Sequence, residues 1–263
     1  MNFVTYERQG TVALVTLNRP ERLNALGHQL LTELQETWLR FQFEDEEAQV
    51  AIVRGAGRAF CSGLDAKDWA ERGRSPREGI AVRDILGTEE LSKPVIAAVH
   101  GHCVGGGFNM LALRCDLCIA ADTAVFSLPE VERGVLLRGY PLAWARVPKA
   151  VMMELALLCE PLSARRAYEV GLVNRVVPEG DLLPTARALA ERLAGFPPPA
   201  VRNSKRLVIK ATQPPEAIDL LEQILFRETA AGAHATDRMS AFVASRSGRQ
   251  SGGTFDQPPS TPE

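Results

Sequence analysis

One segment, residues 94–109, carries most of the information about architecture and reads PVIAAVHGHCVGGGFN. Its first six residues place apolar side chains on both faces of an extended chain, which is typical of a strand inside a parallel sheet. Three consecutive glycines, Gly105 to Gly107, follow before a helix that we expect to run to Arg114. Glycines there permit tight turns and close ligand approach. The first N–H groups of a helix have no intrahelical acceptor and favour negative charge, so the segment predicts a site for an anionic or oxyanionic group.

Two well-known phosphate-binding motifs do not fit this glycine run. A phosphate loop requires G-x-x-x-x-G-K-[ST], which occurs nowhere in the chain. A dinucleotide fingerprint requires G-x-G-x-x-G, but Met110 occupies the position of its third glycine. A second glycine-containing loop, AFCSGLD at residues 59–65, follows another short apolar stretch. The two loops together are the strongest candidates for a functional site.

The hydropathy pattern predicts an α/β fold in which strands alternate with helices and the last third is helical. We expect a core domain over residues 1–195, a helical region over 196–246 and a disordered tail over 247–263, where Gly, Ser, Pro and Gln dominate. The expected elements are a hairpin at 3–18, strands at 50–54, 94–99, 115–120, 124–127 and 172–177, and helices at 26–43, 141–146, 149–158, 164–169, 182–195, 200–211, 215–231 and 236–245.

Composition excludes several classes of function. The chain of 263 residues has 30 Lys and Arg against 32 Asp and Glu, for a net charge of −2. No basic excess is available for nucleic acid or for an anionic membrane surface. Five irregularly spaced cysteines are typical of a reducing compartment, and no stretch approaches the ~18 apolar residues of a membrane helix. We therefore expect a cytoplasmic protein with neither a nucleic-acid nor a membrane partner.

Seven segments in one order resemble the crotonase superfamily, the enoyl-CoA hydratase/isomerase enzymes. They are LNRPERLNAL at 17–26, AFCSGLD at 59–65, PVIAAVHGHCVGGGF at 94–108, CDLCIAA at 115–121, FSLPE at 126–130, ARRAYEVGLVNRVVP at 164–178 and MSAF at 239–242. The resemblance implies a spiral of ββα units with a C-terminal helical trimerisation region. It also implies an acyl-CoA thioester substrate, no metal, no cofactor other than the coenzyme A of the substrate, and a homotrimer or dimer of trimers.

The same resemblance implies roles for individual residues. The N–H groups of Leu64 and Gly106 would bind the thioester oxyanion, and Glu130 would be the acid–base residue. Typical hydratases of the family carry a second glutamate, and the matching position here is Asn109. An amide can orient water or substrate but cannot ionise. We expect contacts with coenzyme A around the first loop and at the start of the second glycine loop. The expected residues are Arg22, Ala59, Ser62, Gly63, Asp65 and Gly105.

One carboxylate leaves several reactions open. It can move a proton between two carbons, which is double-bond isomerisation, or it can protonate the α-carbon while Asn109 orients water, as in the family's hydratase-lyases. Simple hydration is less expected, because losing one acid–base group costs roughly 10²–10⁴ in rate. A hypothesis of another class is a non-catalytic acyl-CoA-binding subunit.

Four further residues have alternative interpretations. Glu132 would share a face with Glu130 if their segment were extended, although an exposed glutamate paired with Arg133 is the simpler expectation. Asp65 is expected to cap a helix, and Cys115 and Cys118 are expected to fill the core rather than bind metal.

Overall fold

The computed structural model describes residues 2–73, 91–136, 147–212 and 216–231, together with residues 241 and 244. Ten strands lie in this part of the chain. They are β1 (Val4–Gln9), β2 (Val12–Leu17), β3 (Val50–Gly55), β4 (Ala59–Cys61), β5 (Val95–Val99), β6 (His102–Val104), β7 (Leu117–Ala121), β8 (Val125–Ser127), β9 (Leu162–Ser163) and β10 (Arg175–Val177).

The strands form two sheets, and the chain alternates between them. The first sheet has the order β1-β2-β3-β5-β7-β10, and the second has the order β4-β6-β8-β9. Each of β3, β5 and β7 in the first sheet is followed at once by β4, β6 or β8 in the second. Neighbours among these repeats are parallel. This is the expected spiral of ββα units, and it brings the ends of β4, β6 and β8 side by side.

The central strands are buried on both faces, as their sequences predict. On β3, Val50 and Ile52 face one apolar cluster, whereas Ala51 and Val53 face the other. On β5, Ile96 likewise faces the first of these clusters. Side chains alternate along a strand, so each central strand joins two cores and holds the second sheet against the first.

Seven α-helices complete the described architecture. They are α1 (His28–Leu39), α2 (Ala66–Arg72), α3 (Lys149–Met153), α4 (Ala164–Glu169), α5 (Leu182–Ala194), α6 (Pro198–Thr212) and α7 (Glu216–Ala231). Helix α5 covers the outer face of the first sheet with Leu182, Ala186 and Ala190. None of the residues of α6, all of which are described, is fully buried.

Several predicted boundaries were wrong for identifiable reasons. The helix expected over 26–43 starts later, at His28, because Leu26 pairs with Leu64 instead. Its expected last part is a π turn, Arg40–Glu44, that follows α1. The helix expected after Gly107 is a π turn (Gly107–Leu111) and a 3-10 turn (Ala112–Arg114). The helix expected over 149–158 likewise ends in a π turn after α3.

Two more boundaries were wrong near the C-terminal half. The strand expected over 172–177 is limited to β10. The helix expected over 200–211 begins two residues earlier, because α6 starts at Pro198. Proline is favoured in the first turn of a helix because the missing N–H would have no acceptor there.

Some predictions lie outside the described residues or are not tested by them. The helix expected over 141–146, most of the helix expected over 236–245 and the tail from residue 247 are outside. The domain boundary at residue 195 stays a prediction. Within the described part of the chain, no helix has the length and apolar character needed to cross a membrane.

Candidate active site

The first glycine loop leaves β4 and is held by the segment before α1. Its peptide N–H at Ser62 donates to the carbonyl of Leu23 at 3.0 Å. Leu26 donates to the carbonyl of Gly63 at 2.8 Å and accepts from the N–H of Asp65 at 3.2 Å, which makes a parallel bridge between Leu26 and Leu64. In such a bridge the middle residue's own N–H points to the opposite side. The N–H of Leu64 therefore points away from Leu26.

The second glycine loop connects β6 to the π turn. Gly105 has a φ of +50° and donates to the carbonyl of Ser127 at 2.9 Å. Gly106 has helical angles, φ −55° and ψ −35°, and immediately precedes the turn that starts at Gly107. Its N–H is thus the first of a helical turn, where main-chain donors lack a carbonyl one turn earlier.

The two loops approach so closely that only glycine fits between them. A Cβ atom placed on Gly63 would lie 3.0 Å from the carbonyl oxygen of Val104 and 3.5 Å from the nitrogen of Gly106. A Cβ on Gly107 would lie 2.5 Å from the Cβ of Cys61. The fold therefore brings the Gly63–Leu64 peptide and the Gly106 nitrogen, the two predicted oxyanion donors, next to each other.

Glu130 lies in a turn after β8, and its carboxylate contacts the region where the two glycine loops approach each other. A Cβ on Gly105 would lie 3.0 Å from Glu130 Oε1 and 3.9 Å from the Cα of Gly63. The Oε2 atom of Glu130 is buried. The turn is fixed by the Glu130 carbonyl, which accepts from the N–H groups of Arg133 at 3.0 Å and Val135 at 2.9 Å. The structure thus places a carboxylate beside both glycine loops.

Asn109 belongs to the second loop and is only 3% exposed. Its N–H donates to the carbonyl of Gly105 at 2.8 Å, so its backbone is tied to the residue that accommodates Glu130. The structure therefore brings close together four residues that lie up to 25 positions apart in the sequence: Gly105, Gly106, Asn109 and Glu130.

Asp65 behaves as the sequence predicts and caps α2. Its Oδ1 accepts from the N–H groups of Lys67 at 3.0 Å and Asp68 at 3.1 Å, and its Oδ2 lies 2.7 Å from Arg19 Nη1. Burial opposes the charged form, but the hydrogen bond from Asp68 and the Arg19 guanidinium hold the pKa of Asp65 below its usual value. Contact of Asp65 with coenzyme A stays a prediction.

The other residues predicted to bind coenzyme A surround the first loop. Arg22 ends a 3-10 turn (Pro20–Arg22) and is half-buried, and its carbonyl accepts from the Ser62 hydroxyl at 3.5 Å. Ala59 is fully buried, and its carbonyl accepts from Asn24 at 2.8 Å. The structure places Arg22, Ser62 and Gly63 together, and their contact with coenzyme A is not tested by it.

Sequence reasoning missed the importance of Asn24. It lies in the quoted segment 17–26, is fully buried, and has a φ of +54°. Its Nδ2 donates to the carbonyls of Ala56, Ala59 and Phe60, and its Oδ1 accepts from the N–H of Arg19. Asparagine is enriched in the left-handed region among non-glycine residues, and this was the available signal.

For Glu132 the simpler expectation, an exposed glutamate, is confirmed in its exposure, and the alternative of a face shared with Glu130 is wrong. Residues 130–134 form a turn rather than an extended segment, and Glu132 is exposed, so it does not share a face with Glu130. The prediction for Cys115 and Cys118 is confirmed, because both are buried in the main core. Within the described ranges, no group of three potential metal ligands converges.

The sequence model of enoyl-CoA hydratase/isomerase matches residues 7–250. The chain belongs to the enoyl-CoA hydratase/isomerase family. It is 39% identical over 215 residues to the (E)-benzylidenesuccinyl-CoA hydratase of Thauera aromatica, covering 78% of this chain and 82% of that one. It is 35% identical over 250 residues to the probable enoyl-CoA hydratase echA8 of Mycobacterium bovis, covering 92% and 95%.

A solved structure shows the same architecture. The crystal structure of a carnitinyl-CoA hydratase from Mycobacterium avium superposes with a TM-score of 0.83 at 33% identity, covering 93% of this chain and 97% of that chain. The crotonase fold predicted from sequence is confirmed. The chain is therefore an acyl-CoA enzyme of the enoyl-CoA hydratase/isomerase family.

Replacing Gly105 with alanine should disable this family member without unfolding it. A new Cβ would push against Glu130 Oε1, and the left-handed backbone adds strain of about 1–2 kcal/mol. On the predicted catalytic role of Glu130, we expect kcat to fall on the order of 10²-fold, because small displacements of catalytic groups have such effects. Gly10→Ala is the matched control, since its φ is +58° with nothing within 4 Å of the added atom. Equal losses of kcat in both variants would contradict the assigned position of Glu130.

The ion pair between Asp65 and Arg19 should make stability depend on pH. Because the folded-state pKa of Asp65 is lowered, its contribution is present above the ordinary value of 3.8 and is lost as the pH falls through the folded-state value. Asp65→Asn keeps a capping side chain, so at pH 7 it should lose about 1–3 kcal/mol for the charged hydrogen bond. Urea unfolding should show the difference shrinking below about pH 4. Exposed Glu71→Gln should change little at either pH.

Proposed function

We propose that this enzyme uses Glu130 as its single acid–base group on an acyl-CoA thioester. The N–H groups of Leu64 and Gly106 bind the thioester oxygen as negative charge develops on it. Each such donor contributes roughly 3–4 kcal/mol to the transition state. The observation that carries the proposal is the convergence of Gly63, Gly105, Gly106 and the Glu130 carboxylate.

The reaction that fits this site best is reversible addition of water to an enoyl-CoA. Glu130 takes one proton from water, the resulting hydroxide adds to the β-carbon, and Glu130 then delivers that proton to the α-carbon. One carboxylate is enough because the same proton is taken up and released. Asn109 orients the water or the substrate through its amide. The names of the relatives, a benzylidenesuccinyl-CoA hydratase and a probable enoyl-CoA hydratase, support hydration.

Isomerisation is the second candidate, and Asn109 is the observation that favours it. An amide at that position cannot act as a general base, so the paired-glutamate mechanism of a simple hydratase is unavailable. Glu130 would then remove a proton from one carbon of the acyl chain and return it to another, with the oxyanion site holding the dienolate between the two steps. A non-catalytic acyl-CoA binder is less supported, because both loops and Glu130 are in place.

The proposal includes coenzyme A binding at the outer side of the first loop, near Arg22 and Ser62.

It also includes assembly into a homotrimer or dimer of trimers through the helical region 196–246. Large apolar side chains on α6 and α7 are exposed in the single chain: Leu207, Val208, Leu220, Leu221 and Ile224. Exposed apolar area of this kind favours burial between subunits.

A cytoplasmic location is proposed because all five cysteines are free thiols.

Replacing Glu130 with glutamine should strongly reduce turnover while leaving binding of acyl-CoA intact. We expect kcat to fall by roughly 10²–10⁴, the usual contribution of an acid–base group. Turnover is measured on a panel of 2-enoyl-CoA and 3-enoyl-CoA thioesters in water enriched in heavy oxygen. Hydration transfers the label to the product, and isomerisation does not. Glu132→Gln is the matched control, because its carboxylate is exposed two residues away. Retained turnover in Glu130→Gln would refute the proposal.

Replacing Asn109 with glutamate tests the single-carboxylate assignment by adding a second carboxylate to the site. The change restores the second acid–base group of a typical hydratase. Crotonyl-CoA is the simple enoyl thioester that suits a paired-glutamate hydratase, and it is not assumed to be the native substrate. We therefore expect the wild type to hydrate it slowly and the variant to hydrate it faster, on the order of 10-fold or more. Hydration is followed by loss of the enoyl-thioester absorbance. Fast wild-type hydration that falls in Asn109→Glu would mean that Asn109 is already suited to the native reaction.

A further inference from the structure

Asn24 connects three parts of the chain that surround the first loop. Its Nδ2 donates to Ala59 at 2.8 Å, Ala56 at 2.9 Å and Phe60 at 3.2 Å, and its Oδ1 accepts from the Arg19 N–H at 2.9 Å. The site is close-packed, because a Cβ on Gly55 would lie 2.8 Å from that Nδ2. A buried amide with both ends engaged fixes its neighbours strongly.

The main chain around Asn24 holds the residues that follow β4. The Cys61 thiol donates to the carbonyl of Asn24 at 3.1 Å. Burial raises the pKa of that thiol to about 12, so it stays a neutral donor. One residue before Asn24, the carbonyl of Leu23 accepts from Ser62 at 3.0 Å. Hydrogen bonds of Leu23, Asn24 and Leu26 therefore join this segment to residues 59–65.

The last of these bonds sets the direction of an oxyanion donor. Leu26 donates to the carbonyl of Gly63 at 2.8 Å. That carbonyl belongs to the same planar peptide unit as the N–H of Leu64, and in a trans peptide the two point in opposite directions. Fixing the carbonyl therefore aims the N–H. Accepting a hydrogen bond also polarises the peptide and strengthens its donor.

We propose that Asn24 is a positioning residue for the thioester oxyanion and acts through Leu26 and the Gly63–Leu64 peptide. The inference rests on the proposed function of the two glycine loops. Asparagine meets the requirements here: it adopts the left-handed φ of +54°, its two amide hydrogens are shared among three carbonyls, and its Oδ1 accepts from the Arg19 N–H. Aspartate would place an oxygen against those carbonyls, and glycine would keep the backbone but lose every side-chain bond.

The test measures polarisation of the thioester carbonyl rather than activity alone. Crotonyl-CoA, isotope-labelled at its carbonyl, is bound to the Glu130→Gln enzyme, and its C=O stretch is recorded by infrared difference spectroscopy. We expect a lower frequency than in free crotonyl-CoA, and a return of at least half that shift when Asn24→Gly is added. In the enzyme with Glu130 intact, Asn24→Gly should lower kcat by about 10- to 100-fold and change KM less than threefold.

Asn174→Gly separates positioning from general stability. Asn174 also joins distant segments, because its Oδ1 accepts from the Cys118 N–H at 2.7 Å and its N–H donates to the Cys118 carbonyl at 2.8 Å, outside both loops. This variant should lose stability but leave the C=O stretch and kcat unchanged. If Asn24→Gly does not fold, as judged by circular dichroism, Asn24→Ser is measured against the same criteria.

The outcomes are distinguishable. A shifted stretch in Glu130→Gln that Asn24→Gly or Asn24→Ser leaves unaltered overturns the inference and leaves the proposed function standing. No shift in Glu130→Gln itself overturns the proposed oxyanion site, and the inference with it. An equal effect of Asn174→Gly on the stretch would show that Asn24 acts only through stability.

Discussion

The approach of two main-chain segments at Gly63 and Gly106 is the constraint on which the site depends. Gly63 has a φ of +90°, and a Cβ on it would lie 3.0 Å from the Val104 carbonyl oxygen, so a side chain there would strain the approach of the two loops. Both donors proposed for the thioester oxygen are main-chain groups, and their separation is set by how closely β4 and β6 pack. The parallel pairing of Cys61 with Cys103 supplies that packing.

The alternation of strands between two sheets places these loops together. Each repeat contributes one strand to the large sheet and one to the small sheet, and the loops leave the small sheet at neighbouring strand ends. The first repeat gives Leu64, the second gives Gly106 and Asn109, and the third gives Glu130. Successive repeats thus supply different groups of one site. The large sheet, buried on both faces, keeps the repeats in register.

Much of this was predictable from sequence because the signals were local. Apolar runs such as 95–99 identify strands buried on both faces, and the glycine loops identify where the main chain must turn or approach closely. Asp65 was recognisable as a helix cap from its position. Of the residues carried over from the resemblance, Gly63, Gly105, Gly106 and Glu130 lie where the loops meet.

The predictions that were wrong depended on long-range pairing. Leu26 has helical spacing with the residues after it, but its bridge to Leu64 removes it from α1. The turns after α1, Gly107 and α3 are π turns, whose hydrogen-bond pattern does not follow from hydropathy. Asn24 reads as an ordinary turn residue until the three carbonyls that it contacts, from residues 56–60, are brought to it by folding.

Because the proposed oxyanion donors are main-chain groups, the site can change over generations in a particular way. Substitutions alter side chains and leave N–H groups where they are, provided that the glycines and their supporting bonds remain. A lineage can therefore exchange a carboxylate for an amide at position 109 without dismantling the binding of the thioester oxygen. The proposed oxyanion site is retained as long as the fold is retained, whereas the residues proposed to transfer protons can vary with the substrate.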